Sequence, residues 1–146
     1  MKFVAKRPSG VNVEDPAIIE AWNDVRSDDS QTNWLMLHLS GPTTIAVKST
    51  GSGGIHELID SLSDDEVLFC ALRLSLGGQV KFFHIYFVGA NVSPLKKGKI
   101  SMLESGVFGA LEGAHGKLTC SGGVEEFTTQ NVAEQIFKIT KVPVEL

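Results

Sequence analysis

VLFCALRLSLGGQVKFFHIYFV, residues 67–88, decides the fold. Gly77-Gly78 separates two apolar segments, Val67 to Leu74 and Val80 to Val88, and a Gly-Gly pair between such segments is a two-residue hairpin signal. Both segments are apolar at either alternate position. In the second, Phe82, His84, Tyr86 and Val88 oppose Phe83, Ile85 and Phe87. A strand that buries both of its faces lies in the middle of a sheet covered on both sides.

The flanking sequence supplies the cover. On the N-terminal side, Asp15-Pro16 places an N-capping carboxylate before a proline at the first helical position. Ile18, Trp22 and Val25 then recur at helical spacing, which predicts a helix ending near Asp28. Asn33 to Ser40 alternates as a strand, with Trp34, Met36 and His38 set against Leu35, Leu37 and Leu39. Gly41-Pro42 turns it into a β-branched partner, Thr43 to Lys48. Gly51 to Gly54 reads as a loop before a short helical stripe of Ile55, Leu58, Ile59 and Leu62. On the C-terminal side, Pro94 opens a longer helix with Ile100, Leu103, Val107 and Leu111 on one face. Lys117 to Cys120 is a short strand, and Val132, Ile136 and Ile139 mark a last helix that Pro143 ends. The expected fold is α+β, a mixed sheet of about five strands flanked by helices on both faces.

At 146 residues, 42% hydrophobic and 21% charged, the chain has the size and balance of one globular domain. No apolar run is long enough to cross a bilayer, and Met1 to Gly10 lacks the apolar stretch of a secretory signal. Cys70 and Cys120 form no CxxC, which fits a reducing compartment, and Cys70 falls in a strand that reads as buried, inert packing. The net charge of −4 argues against general nucleic-acid binding. Its distribution says more: no Asp or Glu lies between Glu66 and Glu104, while Arg73, Lys81, Lys96, Lys97 and Lys99 do. An acidic chain with one purely basic segment can present that segment to an acidic partner.

The chemistry of an enzyme is not evident. His38, His56, His84 and His115 are dispersed, without metal-ligand spacing, and His84 reads as a hydrogen-bonded sheet residue. Gly51-Ser52-Gly53-Gly54 precedes a helix and could offer N–H groups to a phosphate, yet it lacks the Lys-Ser/Thr of a P-loop and the dinucleotide fingerprint. Asp64, Asp65 and Glu66 read as a solvated turn. The element from Pro94 to Gly113 is unusual, because Gly98, Gly106 and Gly109 each cost about 1 kcal/mol relative to Ala in a helix. Gly106 or Gly109 is the expected kink. Opposite the apolar stripe, Gly98, Ser101, Met102, Ser105 and Gly109 form a small, nearly uncharged face with one exposed Met, suited to close approach by another protein or to packing within the molecule.

The element order resembles the ADF-homology family, and particular stretches are similar to its coactosin branch. These are Asp28 to Trp34, Gly51 to Leu58, Val80 to Tyr86 and, most closely, Ser93-Pro94-Leu95-Lys96-Lys97-Gly98-Lys99-Ile100-Ser101-Met102. Ser9-Gly10-Val11-Asn12-Val13 resembles the N-terminal segment of ADF and cofilin. The resemblance implies an ADF-homology domain over 9–141, a flexible segment over 1–8 and a C-terminal tail over 142–146. It implies a cytoplasmic, cytoskeleton-associated monomer that binds actin, filamentous rather than monomeric, at Lys81, Lys96, Lys97, Lys99, Ser101 and Met102. No cofactor, metal, nucleic acid or catalysis is implied. Ser9 matches the serine whose phosphorylation blocks actin binding in ADF and cofilin. Two departures stand out. Ser75 to Gln79 is shorter than the basic loop of coactosins, which implies a weaker filament contact. Glu104, Gly106 and Glu112 replace lysines of cofilins, which points away from cofilin-like monomer binding and severing. The alternatives are a cofilin-like depolymeriser or monomer binder and, from another class, a small phosphate- or nucleotide-binding enzyme domain at the Gly51 loop.

Overall fold

In the computed structural model of the chain, residues 10–146 are described, so the expectations for 1–8 and for Ser9 lie outside the described residues. Asp15 caps the first helix as its sequence demands: its carboxylate accepts from Ala17 N at 2.9 Å, with Pro16 next in line. Helix α1 (Pro16–Arg26) buries Ile18, Ala21, Trp22 and Val25 and ends two residues before the expected Asp28.

Strands β1 (Trp34–Leu39) and β2 (Ile45–Gly51) pair antiparallel, followed by α2 (Gly54–Asp60). The decisive stretch forms β3 (Val67–Leu76) and β4 (Gln79–Val88), paired from Val67↔Val88 to Leu76↔Gln79. Gly77 and Gly78 have φ of 57° and 83°. Positive φ at both turn positions is the demand of a tight primed turn, which glycine meets without a Cβ clash. After α3 (Pro94–Ser101) and α4 (Glu104–Gly109), strand β5 (Gly116–Cys120) runs parallel to β4, and α5 (Thr129–Thr140) follows. The sheet order is β2-β1-β3-β4-β5, a five-stranded mixed sheet with β3 at its centre.

The two apolar parities of the strands now have separate destinations. Leu35, Leu37, Phe69 and Ala71 pack with Trp22 of α1, Ile100 of α3 and Val107 of α4. Trp34, Met36, Cys70, Phe83, Ile85 and Phe87 pack on the opposite face with Leu58 of α2 and Ile136 of α5. The helices on both faces therefore follow from strands that alternate between two cores.

Two expectations need correction and one needs refinement. The long helix is broken at Met102–Leu103, not at Gly106 or Gly109. Leu103 N–H reaches back only to Ile100 O, at 2.9 Å, a tightened turn. The re-phased α4 buries Gly106, Val107 and Phe108 together and stacks Phe108 on His84, with ring centroids 4.6 Å apart. Asp64, Asp65 and Glu66 do form a turn, with Asp65 exposed, but their carboxylates are engaged rather than merely solvated. Asp64 Oδ1 accepts from Ala90 N at 3.2 Å and Val124 N at 2.8 Å, tying the ends of three loops. Asp65 holds Asn91, and Glu66 pairs with Lys48 and His38. Burial works against the Glu66 carboxylate, but the hydrogen bonds from Lys48 and His38 outweigh it and hold the group below its usual range. The last helix ends at Lys141, in left-handed backbone with φ 61°, before Pro143 is reached. Ile139 is 40% exposed and lies over the backbone of Gly116, where a Cβ would come within 2.9 Å of it.

Candidate functional site

Helix α3 carries most of the residues that the sequence marks. Ser93 caps it, its Oγ accepting from Lys96 N at 3.2 Å, and Pro94 occupies its first turn. Ile100 anchors the helix in the core. Lys96, Gly98, Lys99, Ser101, Met102 and Ser105 are exposed and Lys97 and Gly109 are half-buried, so most of the small outer face looks away from the molecule, while Gly109 sits on the re-phased α4. Ser101 Oγ–H donates to Gly98 O at 2.8 Å, which occupies the hydroxyl proton and leaves the oxygen free to accept. Leu95 was not singled out in the sequence. It is 72% exposed, next to Met102 at 74%, and these are the two most exposed large hydrophobic side chains among the described residues. The signal was present: Leu95 and Met102 stand seven positions apart, hence on one helical face.

Among the described residues, Lys81, Lys96, Lys97 and Lys99 have no ion-pair partner. The nearest acid along the chain, Glu104, pairs with Lys117. Two positive charges in the first turn also oppose the helix dipole, at up to about 1 kcal/mol each. Among the described residues the positive charge of α3 is therefore unneutralised. Arg73, from the same acid-free window, is withdrawn: it pairs with Asp28, donates to Val25 O at 3.1 Å and lies over the Phe82 ring.

Lys81 stands elsewhere. It pairs with Leu74 near the hairpin end of β4, half-buried, and shares the parity of Phe83, which faces α2 and α5. It lines a groove of about 390 Å³ with Leu76, Gln79, His115, Ile139 and Thr140. Helix α3 starts beyond the other end of β4 and lies over the other sheet face. The fold thus brings Lys96, Lys97, Lys99, Ser101 and Met102 together on one surface and holds Lys81 on a second.

The groups of the alternative chemistries are engaged in the fold. At the Gly51 loop, Gly53 N–H and Trp34 Nε1–H both donate to Glu57 Oε1, at 3.0 and 2.8 Å, and Gly54 N–H donates to Asn33 Oδ1 at 2.9 Å. The bonds from Gly53 and Trp34 hold the Glu57 carboxyl below its usual range. A phosphate arriving there would meet a carboxylate and occupied donors. The His84 ring bonds out of the sheet to the segment after α4, its Nε2 2.6 Å from Leu111 O. Cys70 is fully buried, and desolvation pushes its thiol up, away from the reactive thiolate. Among the described residues, no group of three or more His, Cys, Asp and Glu could hold a metal, and no helix is long and apolar enough to cross a membrane.

Known proteins share this architecture. A drebrin-like protein of Mus musculus is 32% identical over 114 residues, covering 76% of this chain and 26% of that protein, so the chain spans about a quarter of that relative's length. Coactosin of Dictyostelium discoideum is 30% identical over 101 residues, covering 66% of this chain and 69% of that one. The solved structure of human coactosin-like protein superposes with a TM-score of 0.75 at 25% identity, covering 84% of this chain and 94% of that chain. A family model described as cofilin/tropomyosin-type actin-binding protein matches residues 10–136, and the chain belongs to that family.

Proposed function

We propose that the chain binds the side of actin filaments, in the manner of a coactosin, and modulates filament dynamics without catalysis. One observation carries this reading. Two surfaces with unneutralised lysines lie on opposite faces of the sheet and at opposite ends of β4. A monomer offers its binder one subunit, whereas a filament side offers two neighbouring subunits to two surfaces. The α3 surface has an apolar centre in Leu95 and Met102 and a basic rim in Lys96, Lys97 and Lys99. That is the anatomy of a protein interface steered to an acidic partner. The Lys81 surface is the second contact, at the position where the family resemblance sets a filament-binding base. The setting is the cytoplasm, in association with the cytoskeleton, and the acting species is a monomer.

Co-sedimentation with filaments, beside a monomer-binding control, tests the proposal. The chain should pellet with filaments and bind monomers more weakly. Binding should fall steeply as added salt shortens the Debye length to about 8 Å. The paired change Lys96→Glu, Lys97→Glu should abolish pelleting with the fold intact by circular dichroism. Tight monomer binding with no pelleting would favour the cofilin-like alternative, and salt-insensitive pelleting would remove the electrostatic part.

A further inference from the structure

Strand β2 forms one edge of the sheet and β5 the other. An edge presents backbone N–H and C=O groups that template a further strand, and folds guard against this. The β5 edge is closed from within. The Gln135 side chain of α5 accepts from Thr119 N at 3.0 Å and donates to Thr119 O at 2.9 Å, so its amide stands where a sixth strand would. The β2 edge is closed only at its start, where Asn12 N–H donates to Thr43 O at 2.7 Å and Ile45 N–H donates to Asn12 O at 2.9 Å. Beyond Ile45, no strand pairs with this edge among the described residues. The open groups follow from strand alternation. Ile45 N–H points outward to Asn12, so the N–H and C=O of Val47 point outward too. Gly51 O points inward and accepts from Asn33 N at 2.8 Å, so the groups of Thr50 point outward. The register shift between Met36 and Leu37 leaves Lys48 as an extra residue, and that bulge keeps Val47 and Thr50 on one side. A lysine on an edge is a common guard, but Lys48 is drawn back across β1 to Glu66.

The open edge also has a flank of definite charge. Helix α1 packs on β2, β1 and β3, with Trp22 and Arg26 turned toward β4. There they donate to Glu112 O at 2.9 and 3.5 Å, and Trp22 meets the Phe82 ring. By helical spacing the opposite flank of α1, toward β2, carries Ala17 and Ala21, with Asp24 and Glu20 at its rim. Glu20 and Asp24 are exposed and have no ion-pair partner among the described residues. The two alanines leave room beside the strand, and the carboxylates select the charge that enters it. A second copy of this chain, paired β2 to β2 about a two-fold axis, would bring the same acids toward each other. The charge therefore favours a basic strand over self-pairing.

We infer that the β2 edge docks a short, extended, basic peptide segment of another protein, which adds as a sixth strand beside Val47 and Thr50 and lays alternate side chains against Glu20 and Asp24. Backbone bonds to the edge give affinity in this mode, and the flanking side chains give specificity. The bulge at Lys48 keeps the added strand short. The site is separate from both lysine surfaces: β1 and β3 lie between it and β4, which carries Lys81, and α3 follows β4. A chain engaged through its lysines therefore keeps this edge free, and the inference does not depend on what those lysines bind.

The test titrates a synthetic peptide, acetyl-Lys-Val-Arg-Val-Lys-Val-amide, into the full isotope-labelled chain and follows it by NMR. The peptide should shift the amides of residues 46–51 and 17–24 and slow hydrogen exchange at Val47 and Thr50 about tenfold. Methylating the peptide's own amide nitrogens at the alternate positions that face β2 should weaken binding about tenfold, whereas methylating the other set should change it by less than about threefold, because strand addition uses one edge of the peptide. The same peptide with Glu in place of each basic residue should bind about tenfold more weakly, and Asp24→Lys, at an exposed position, should weaken the basic peptide about fivefold with the thermal midpoint unchanged. Equal losses from the two methylation patterns, or shifts that avoid residues 46–51, would overturn the added strand. Equal binding of the acidic and basic peptides would overturn the charge selection. Sedimentation velocity that reveals a dimer of the free chain, dispersed by Thr50→Pro, would assign the edge to a second copy and overturn the peptide assignment.

Discussion

Replacing Lys81 and Lys96 by Ala, singly and together, tests whether the two basic surfaces touch different subunits. The seven steps from Lys81 to Val88 along β4, at roughly 3.4 Å each, span roughly 24 Å. Lys96 lies beyond that end and on the other sheet face. This separation is about three Debye lengths at physiological salt. It also exceeds the distance of roughly 10 Å beyond which substitutions act independently. Each rim charge is worth about 0.5–1 kcal/mol at a solvated interface, or roughly two- to fivefold in Kd. Lys81 belongs at the upper end of that range because it is half-buried in its groove, whereas Lys96 is exposed. The double variant should therefore lose the product of the single effects, roughly 4- to 25-fold, in filament co-sedimentation. Monomer binding, followed by the fluorescence of labelled actin, should respond to Lys96→Ala and not to Lys81→Ala. Equal weakening of monomer and filament binding by Lys81→Ala would refute the two-subunit reasoning. So would a double variant no weaker than the worse single one, since that result requires the two lysines to share one contact.

Asp64→Ala removes the acceptor for Ala90 N and Val124 N and should cost about 2–3 kcal/mol in urea unfolding, discounted for partial exposure; an unchanged midpoint would contradict the cross-link. Lys141→Gly should stabilise the chain by about 1 kcal/mol, seen as a thermal midpoint about 2–4 °C higher, because Lys141 occupies left-handed backbone at φ 61°; a lower midpoint would refute this. Burial pushes the His84 imidazole below its ordinary 6.5, against the opposing effect of its bond to Leu111 O, so the folded state favours the neutral ring. The stability this gives is complete above the unfolded value of 6.5 and is lost as pH falls from there through the lower folded value. His84→Gln should flatten that acid slope, and an NMR titration midpoint at or above 6.5 would count against it.

The decisive hairpin was legible because its signals are local. Gly77 and Gly78 meet a turn demand that lies within two residues, and the alternation of β3 and β4 needs no knowledge of what covers them. Helix α1 was legible for the same reason, since Asp15 caps a helix that starts at the next residue. The break at Met102–Leu103 was not, because neither residue is a helix breaker. What favours it is tertiary: the stacking of Phe108 on His84, a residue of β4, and the burial of Val107 beside it. The turn at 64–66 was legible, but the bonds that Asp64 makes from it were not, since its partners stand 26 and 60 residues away.

The candidate site divides along the same line between local and tertiary information. The run from Lys96 to Met102 could be read as an exposed face because helical spacing orders it, and Leu95 belongs to that face by the same rule. The acid-free window as a whole could not be read as a patch. Arg73 is drawn off by Asp28, 45 residues away. Lys81 and the α3 lysines are parted by the geometry of the sheet itself. A position of odd parity on β4 faces α5, and the crossover that makes β5 parallel to β4 carries α3 and α4 over the other face. A parallel neighbour demands such a crossover. A contiguous stretch of positive sequence therefore becomes two surfaces, because a strand followed by a crossover helix distributes its charges to opposite sides of the sheet. That division is what separates a binder able to span two subunits from one confined to a single patch.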